Sequence, residues 1–143
     1  MVNEVEPWAN PDTIRRILAE CETWAVVGLG DNPIRAAHGV ARFLKAHGKR
    51  IVPVHPDAVT VLGEPGYATL ADIPFQVDCV DVFRRSDAAG QFADQAVAVN
   101  ASAVWFQLDV VDELAFKRTT AAGLDMIMDR CPAIEWPTFG PPA

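Results

Sequence analysis

The sequence predicts an α/β domain built on an open, doubly wound, mostly parallel five-stranded sheet with helices on both faces. Two observations carry this. Short runs rich in apolar residues at Thr23 to Leu29, Arg50 to His55, Val77 to Phe83, Ser102 to Leu108 and Leu124 to Asp129 read as buried strands. Helical patterns are expected in the intervals, and strands alternating with helices imply parallel pairing through right-handed crossovers. The expected strand order is 3-2-1-4-5, with a ligand site beyond the carboxyl ends of the strands, where the order reverses between the first and the fourth.

Each element has a local reason. Asn10 is placed to cap the first helix, Pro11 suits its first position, and Ile14, Ile17, Leu18 and Cys21 share one face, expected against the sheet edge. In the next helix Val40, Phe43, Leu44 and His47 share a face, and Gly48 supplies the stop. Ser86 is expected to cap a helix containing Phe92, Ala96 and Val99. Asp109 or Asp112 is expected to cap one containing Leu114, Ala115 and Ala122, ended by Gly123. Trp24, Trp105, Phe43, Phe92 and Phe106 fall on apolar faces and read as core. Residues 1–9 read as an arm, 10–136 as the domain and 137–143 as a Pro-rich tail.

The balance of 50% hydrophobic and 22% charged residues is that of a folded chain. Twelve Lys and Arg against nineteen Asp and Glu give a net charge of -7, which speaks against nucleic acid and anionic membranes as partners. A small anion senses only charges within about 8 Å, so local basic residues matter more than the sum. Neither an apolar leader in residues 1–9 nor a membrane-spanning run is visible, and a soluble, cytoplasmic protein is expected. Cys21, Cys79 and Cys131 form neither a disulfide framework nor a zinc pattern and suit a reducing compartment. Cys131, beside Arg130, reads as a buried structural residue, the alternative being a thiol activated by the guanidinium. The spacing of Asp78, Asp81 and Asp129 matches no metal pattern.

The carboxyl ends of the strands hold the candidates for a site. Gly28-Leu29-Gly30 follows the first strand, where small residues let the backbone approach a pyrophosphate and a helix N-terminus faces its charge. The third glycine of the dinucleotide fingerprint is absent, so this Rossmann-like pair alone also fits a plain turn. Arg35 and, more weakly, His38 can meet phosphate oxygens. Strand two ends Pro53-Val54-His55 without the carboxylate that an NAD site places there, although Asp57 follows shortly. Phe83-Arg84-Arg85 offers an aromatic face and two cations for a purine and a phosphate, and Gln107 offers an amide.

Taken in order, Val27-Gly28-Leu29-Gly30-Asp31-Asn32-Pro33, Pro53-Val54-His55-Pro56, Leu62-Gly63, Leu70-Ala71-Asp72-Ile73-Pro74, Val80-Asp81-Val82-Phe83-Arg84-Arg85, Val104-Trp105-Phe106-Gln107-Leu108 and Met128-Asp129-Arg130-Cys131 resemble the small bacterial CoA-binding protein family. That family is similar to the nucleotide-binding domain at the start of the succinyl-CoA synthetase alpha subunit. The resemblance implies a domain holding coenzyme A or an acyl-CoA, with its pyrophosphate at the glycine loop. It makes Gly28, Gly30, Asn32, Pro33 and Arg35, around the intervening Leu29, the phosphate-side candidates, and puts Pro53, Val54, Phe83 and Arg84 at the adenosine end. The family often has a hydroxyl residue where this chain has Gly30, Asn where it has His55, and Gly where it has Asp109. It implies a small nucleotide as partner and specifies no protein partner. With no glycine-flanked catalytic histidine and no nucleotide-grasping second domain in view, binding without catalysis is expected. The alternatives are a minimal NAD(P)-binding oxidoreductase and an interaction domain with an empty site.

Overall fold

The computed structural model describes residues 6–142. Its strands are β1 (Thr23–Val27), β2 (Arg50–Val54), β3 (Cys79–Val82), β4 (Ala103–Phe106) and β5 (Asp125–Ile127). Its helices are α1 (Pro11–Glu20), α2 (Ala36–Ala46), α3 (Ser86–Ala98), α4 (Glu113–Ala121) and α5 (Pro132–Phe139). All strand pairs are parallel, as the apolar runs predict, and the fold is Rossmann-like.

The strand order is β2-β1-β3-β4-β5, which corrects the expected 3-2-1-4-5. Pro53 explains the difference. Proline cannot donate to a ladder and is confined to edge strands, so β2 cannot lie between two neighbours. Beyond β2, among the described residues, only residue 67 joins the edge, where the Tyr67 amide donates to the Pro53 carbonyl and the His55 amide to the Tyr67 carbonyl. The interval between β2 and β3 was expected to be helical. It holds one 3₁₀ turn at Leu70–Asp72 among the described residues, and the chain returns past β1 to pair β3 directly with it. The order therefore reverses between β1 and β3.

Alternate residues of each strand enter two cores. Trp24, Val26, Cys79, Trp105 and Ile127 face α1, α2 and α5, while Ala25, Val27, Val80, Val104 and Met126 face α3 and α4. Asn10 caps α1 as its side chain predicts, accepting from the amides of Asp12 at 2.9 Å and Thr13 at 3.1 Å. Asp112, not Asp109, caps α4 through the Ala115 amide. Ser86 does not cap α3: it is the first helical residue, and its hydroxyl donates to the Asp109 carbonyl and accepts from the Val111 amide, tying the β4–α4 loop to α3.

Both presumed extremities take part in packing. Residues 1–5 of the expected arm lie outside the described residues. Pro7–Ala9 form a 3₁₀ turn along β5, where the Trp8 carbonyl accepts from the Met128 amide. At the other end α5 runs through residue 136, the expected domain end, and on to Phe139. Trp136 packs on Phe43 and His47, with ring centroids 5.7 and 5.0 Å apart, and the Arg15 guanidinium lies over Phe139. Cys21, Cys79 and Cys131 are free and buried. The Arg130 guanidinium beside Cys131 is paired with Glu6 and Glu135 at 3.3 and 3.5 Å.

Candidate functional site

The switch between β1 and β3 opens into a cavity of about 500 Å³. Gly28 forms its floor. It has φ of +98°, and a Cβ there would stand 2.8 Å from the Phe83 carbonyl oxygen, so only glycine lets β1 and β3 close at this point. Its amide donates to the Val54 carbonyl at 2.8 Å, which fastens the loop to β2 as well. Leu29 then turns fully into the core and anchors the loop from beneath.

The loop continues through Gly30 and Asp31 to Asn32, whose Oδ1 accepts from the Ile34 amide at 3.0 Å. This turn delivers the chain to α2 at Ala36. The amides of Ala36 and Ala37 have no carbonyl within the helix to bond, and both residues line the cavity. A helix N-terminus carries about half a positive charge, so this wall favours an anion. The Arg35 side chain makes no capping bond and lines the same wall.

From the opposite side come Phe83 and Arg84 at the end of β3, and His55, Asp57 and Val59 beyond β2. Two arginines, Arg35 and Arg84, and two carboxylates, Asp31 and Asp57, thus share the lining.

Of the residues singled out by sequence, Gly28, Gly30, Asn32, Arg35, His55, Phe83 and Arg84 come together around this cavity. Leu29, Pro53 and Val54 support it from within the core. Pro33 is exposed in the loop turn and does not line the wall. His38 is buried and bonds Arg42 through Nδ1 at 3.1 Å. Arg85 is turned outward to Asp87. Gln107 sits one strand further from the switch point than expected, because β3 intervenes between β1 and β4. Asp31, Ala36, Ala37, Asp57 and Val59 were missed as wall residues. The α2 start was legible only from the loop turn, and the Asp57 and Val59 positions depend on the chain reversing at Ala58, which has φ of +50°.

Beneath this site Asp81 lies on the same face as Phe83, fully buried, with neither carboxylate oxygen bonded to another group. Burial pushes its carboxyl well above the usual carboxylate range. An unfolded Asp titrates near about 4. Between that pH and the folded value the native state holds a proton that the unfolded state has released, so stability falls as pH rises through this window. Asp81→Asn removes the effect. Its stability relative to the wild type is expected to grow with pH by at most about 1.4 kcal/mol per pH unit. Urea unfolding from pH 3.5 to 8 checks this, and a difference independent of pH contradicts it.

Comparison with known proteins agrees on fold and family. The family model described as CoA binding domain matches residues 22–137. An uncharacterized protein of Bacillus subtilis, YneT, is 35% identical over 118 residues, covering 82% of this chain and 87% of its own. A hypothetical protein from Pyrococcus horikoshii superposes with a TM-score of 0.88 at 31% identity, over 96% of this chain and 99% of that one. A dinucleotide-forming acetyl-coenzyme A synthetase of Ca. Korarchaeum cryptofilum shares the fold, with a TM-score of 0.66 at 19% identity, over 78% of this chain and 26% of its own. Among the described residues no helix is long and apolar enough to cross a membrane.

Proposed function

Because the chain belongs to the CoA-binding domain family, we propose that it holds coenzyme A, free or as an acyl thioester, in the glycine-loop cavity and performs no chemistry of its own. The observation that carries this reading is the convergence of Arg35, Arg84 and the first amides of α2 on one cavity at the switch point. The pyrophosphate lies over Gly28 and Gly30, where no side chain keeps it from the backbone. There the helix N-terminus and the Arg35 guanidinium meet its charge. Phe83 and Arg84 flank the adenosine, the ring by stacking and the guanidinium by pairing with a phosphate. Asn32 and Pro33 fix the loop that carries Arg35. A cavity of about 500 Å³ is in the range of small-ligand sites. The buried free cysteines suit a protein kept in the reducing cytoplasm.

Thermal unfolding with coenzyme A, acetyl-CoA, NAD and NADP tests the proposal. A ligand at about 100 times its dissociation constant adds roughly 2.7 kcal/mol, which for a domain of this size raises Tm by roughly 5 to 12 °C. The expected result is such a rise with coenzyme A and acetyl-CoA and none with NAD or NADP. A rise with NAD alone contradicts it.

A further inference from the structure

His55 follows β2 with its ring set between two loops. Its Nδ1 lies 3.2 Å from the Asp57 amide nitrogen and 3.5 Å from the Asp57 carboxylate. On the other edge, Cδ2 and Nε2 lie 3.7 and 3.8 Å from the point where a Cβ on Gly30 would stand. A neutral imidazole has one donor and one acceptor nitrogen. The Asp57 N–H donates, so Nδ1 accepts and the proton sits on Nε2. The edge facing the glycine loop thus offers an N–H.

Gly30 itself carries no side chain, and the side-chain atoms within 4 Å of a Cβ placed on it are those of the His55 ring edge. We infer that the Nε2–H of His55 is a side-chain donor, beside Arg35, that holds a phosphoryl oxygen of the ligand over the Gly30 turn, in the space a hydroxyl on residue 30 would fill. Asp57 is the positioning residue that fixes the ring and its tautomer. The inference rests on the coenzyme A reading and names one contact of its diphosphate.

An asparagine at position 55 separates the two jobs of the histidine. Its Oδ1 can still accept from the Asp57 amide, as Asx turns do, but its short side chain has no group that reaches the loop. Calorimetric titration with coenzyme A is therefore made on the wild type, His55→Asn, Gly30→Ser and the double variant. A hydrogen bond to a charged oxygen is worth about a tenfold change in affinity or more. His55→Asn is expected to bind about tenfold more weakly with an unchanged ligand-free Tm, and adding Gly30→Ser is expected to recover most of the loss. The Gly30 site accommodates serine, since a Cβ there meets only the ring edge of His55. A long-range ¹H–¹⁵N spectrum of the wild-type protein, which depends on no variant folding, is expected to show the Nε2–H tautomer. A wild type that binds coenzyme A together with a His55→Asn variant of equal affinity overturns the inference alone, as does an Nδ1–H tautomer. A wild type that binds no coenzyme A overturns the proposed function and this contact with it.

Discussion

Gly28→Val is expected to cost at least about 3 kcal/mol of stability, because it combines a β-branched side chain at positive φ with a clash against fixed backbone. The φ of +98° disfavours any side chain there, and the new Cβ would lie 2.8 Å from the Phe83 carbonyl oxygen. That oxygen cannot yield easily. The Phe83 amide is bonded to the Val27 carbonyl at 2.9 Å, and Gly28 itself is bonded to Val54, so three strands meet at one point. Gly48→Ala is the control. Gly48 has φ of +86° with nothing within 4 Å of its would-be Cβ, and its cost should be only the left-handed conformation, about 1 kcal/mol. Urea unfolding of both variants separates the effects. Equal losses would show that the approach of β1 to β3 plays no part.

The second large effect is on the ligand. Arg35 precedes α2 and Arg84 follows β3, so the two guanidiniums reach the cavity from separate elements. Each charge-assisted contact is worth about a tenfold change in affinity, and contacts carried by independent elements combine almost additively. Arg35→Ala with Arg84→Ala is expected to weaken coenzyme A binding about a hundredfold, while Arg85→Ala leaves it unchanged. Arg85 provides the comparison because it neighbours Arg84 in sequence but is turned outward to Asp87. Calorimetry on the three variants checks this. An Arg85→Ala loss as large as that of Arg84→Ala would show that simple positive charge, and not the cavity wall, attracts the ligand.

The strands and most helices were legible because the signals are local. Val26, Val80 and Val104 lie in runs that only a strand covered on both faces accommodates, and Asn10 with Pro11 marks a helix start by hydrogen-bonding chemistry alone. The strand order was legible too, but in one residue: Pro53 excludes β2 from a central place, whereas the sequence placed Pro53 only at the adenosine end of a ligand. Gln107 and His38 were brought to the site by position along the chain. Distance across the sheet and the phase of α2 decide otherwise, and neither is written in sequence spacing. Asp109 shows how a family's usual residue carries structural information, since its φ of +67° is a conformation that glycine adopts without strain. The Ser86 hydroxyl, read as a cap, instead joins two loops distant in sequence. A local rule has no access to that contact.

The most direct measurement of the central claim is a map of backbone amide shifts as coenzyme A is added to ¹⁵N-labelled protein. The account predicts that the largest changes fall on residues 28 to 37, His55 and Arg84, with the amides of Ala36 and Ala37 among them and α4 undisturbed. Changes centred elsewhere, or none at millimolar ligand, would contradict the placement of coenzyme A in the glycine-loop cavity.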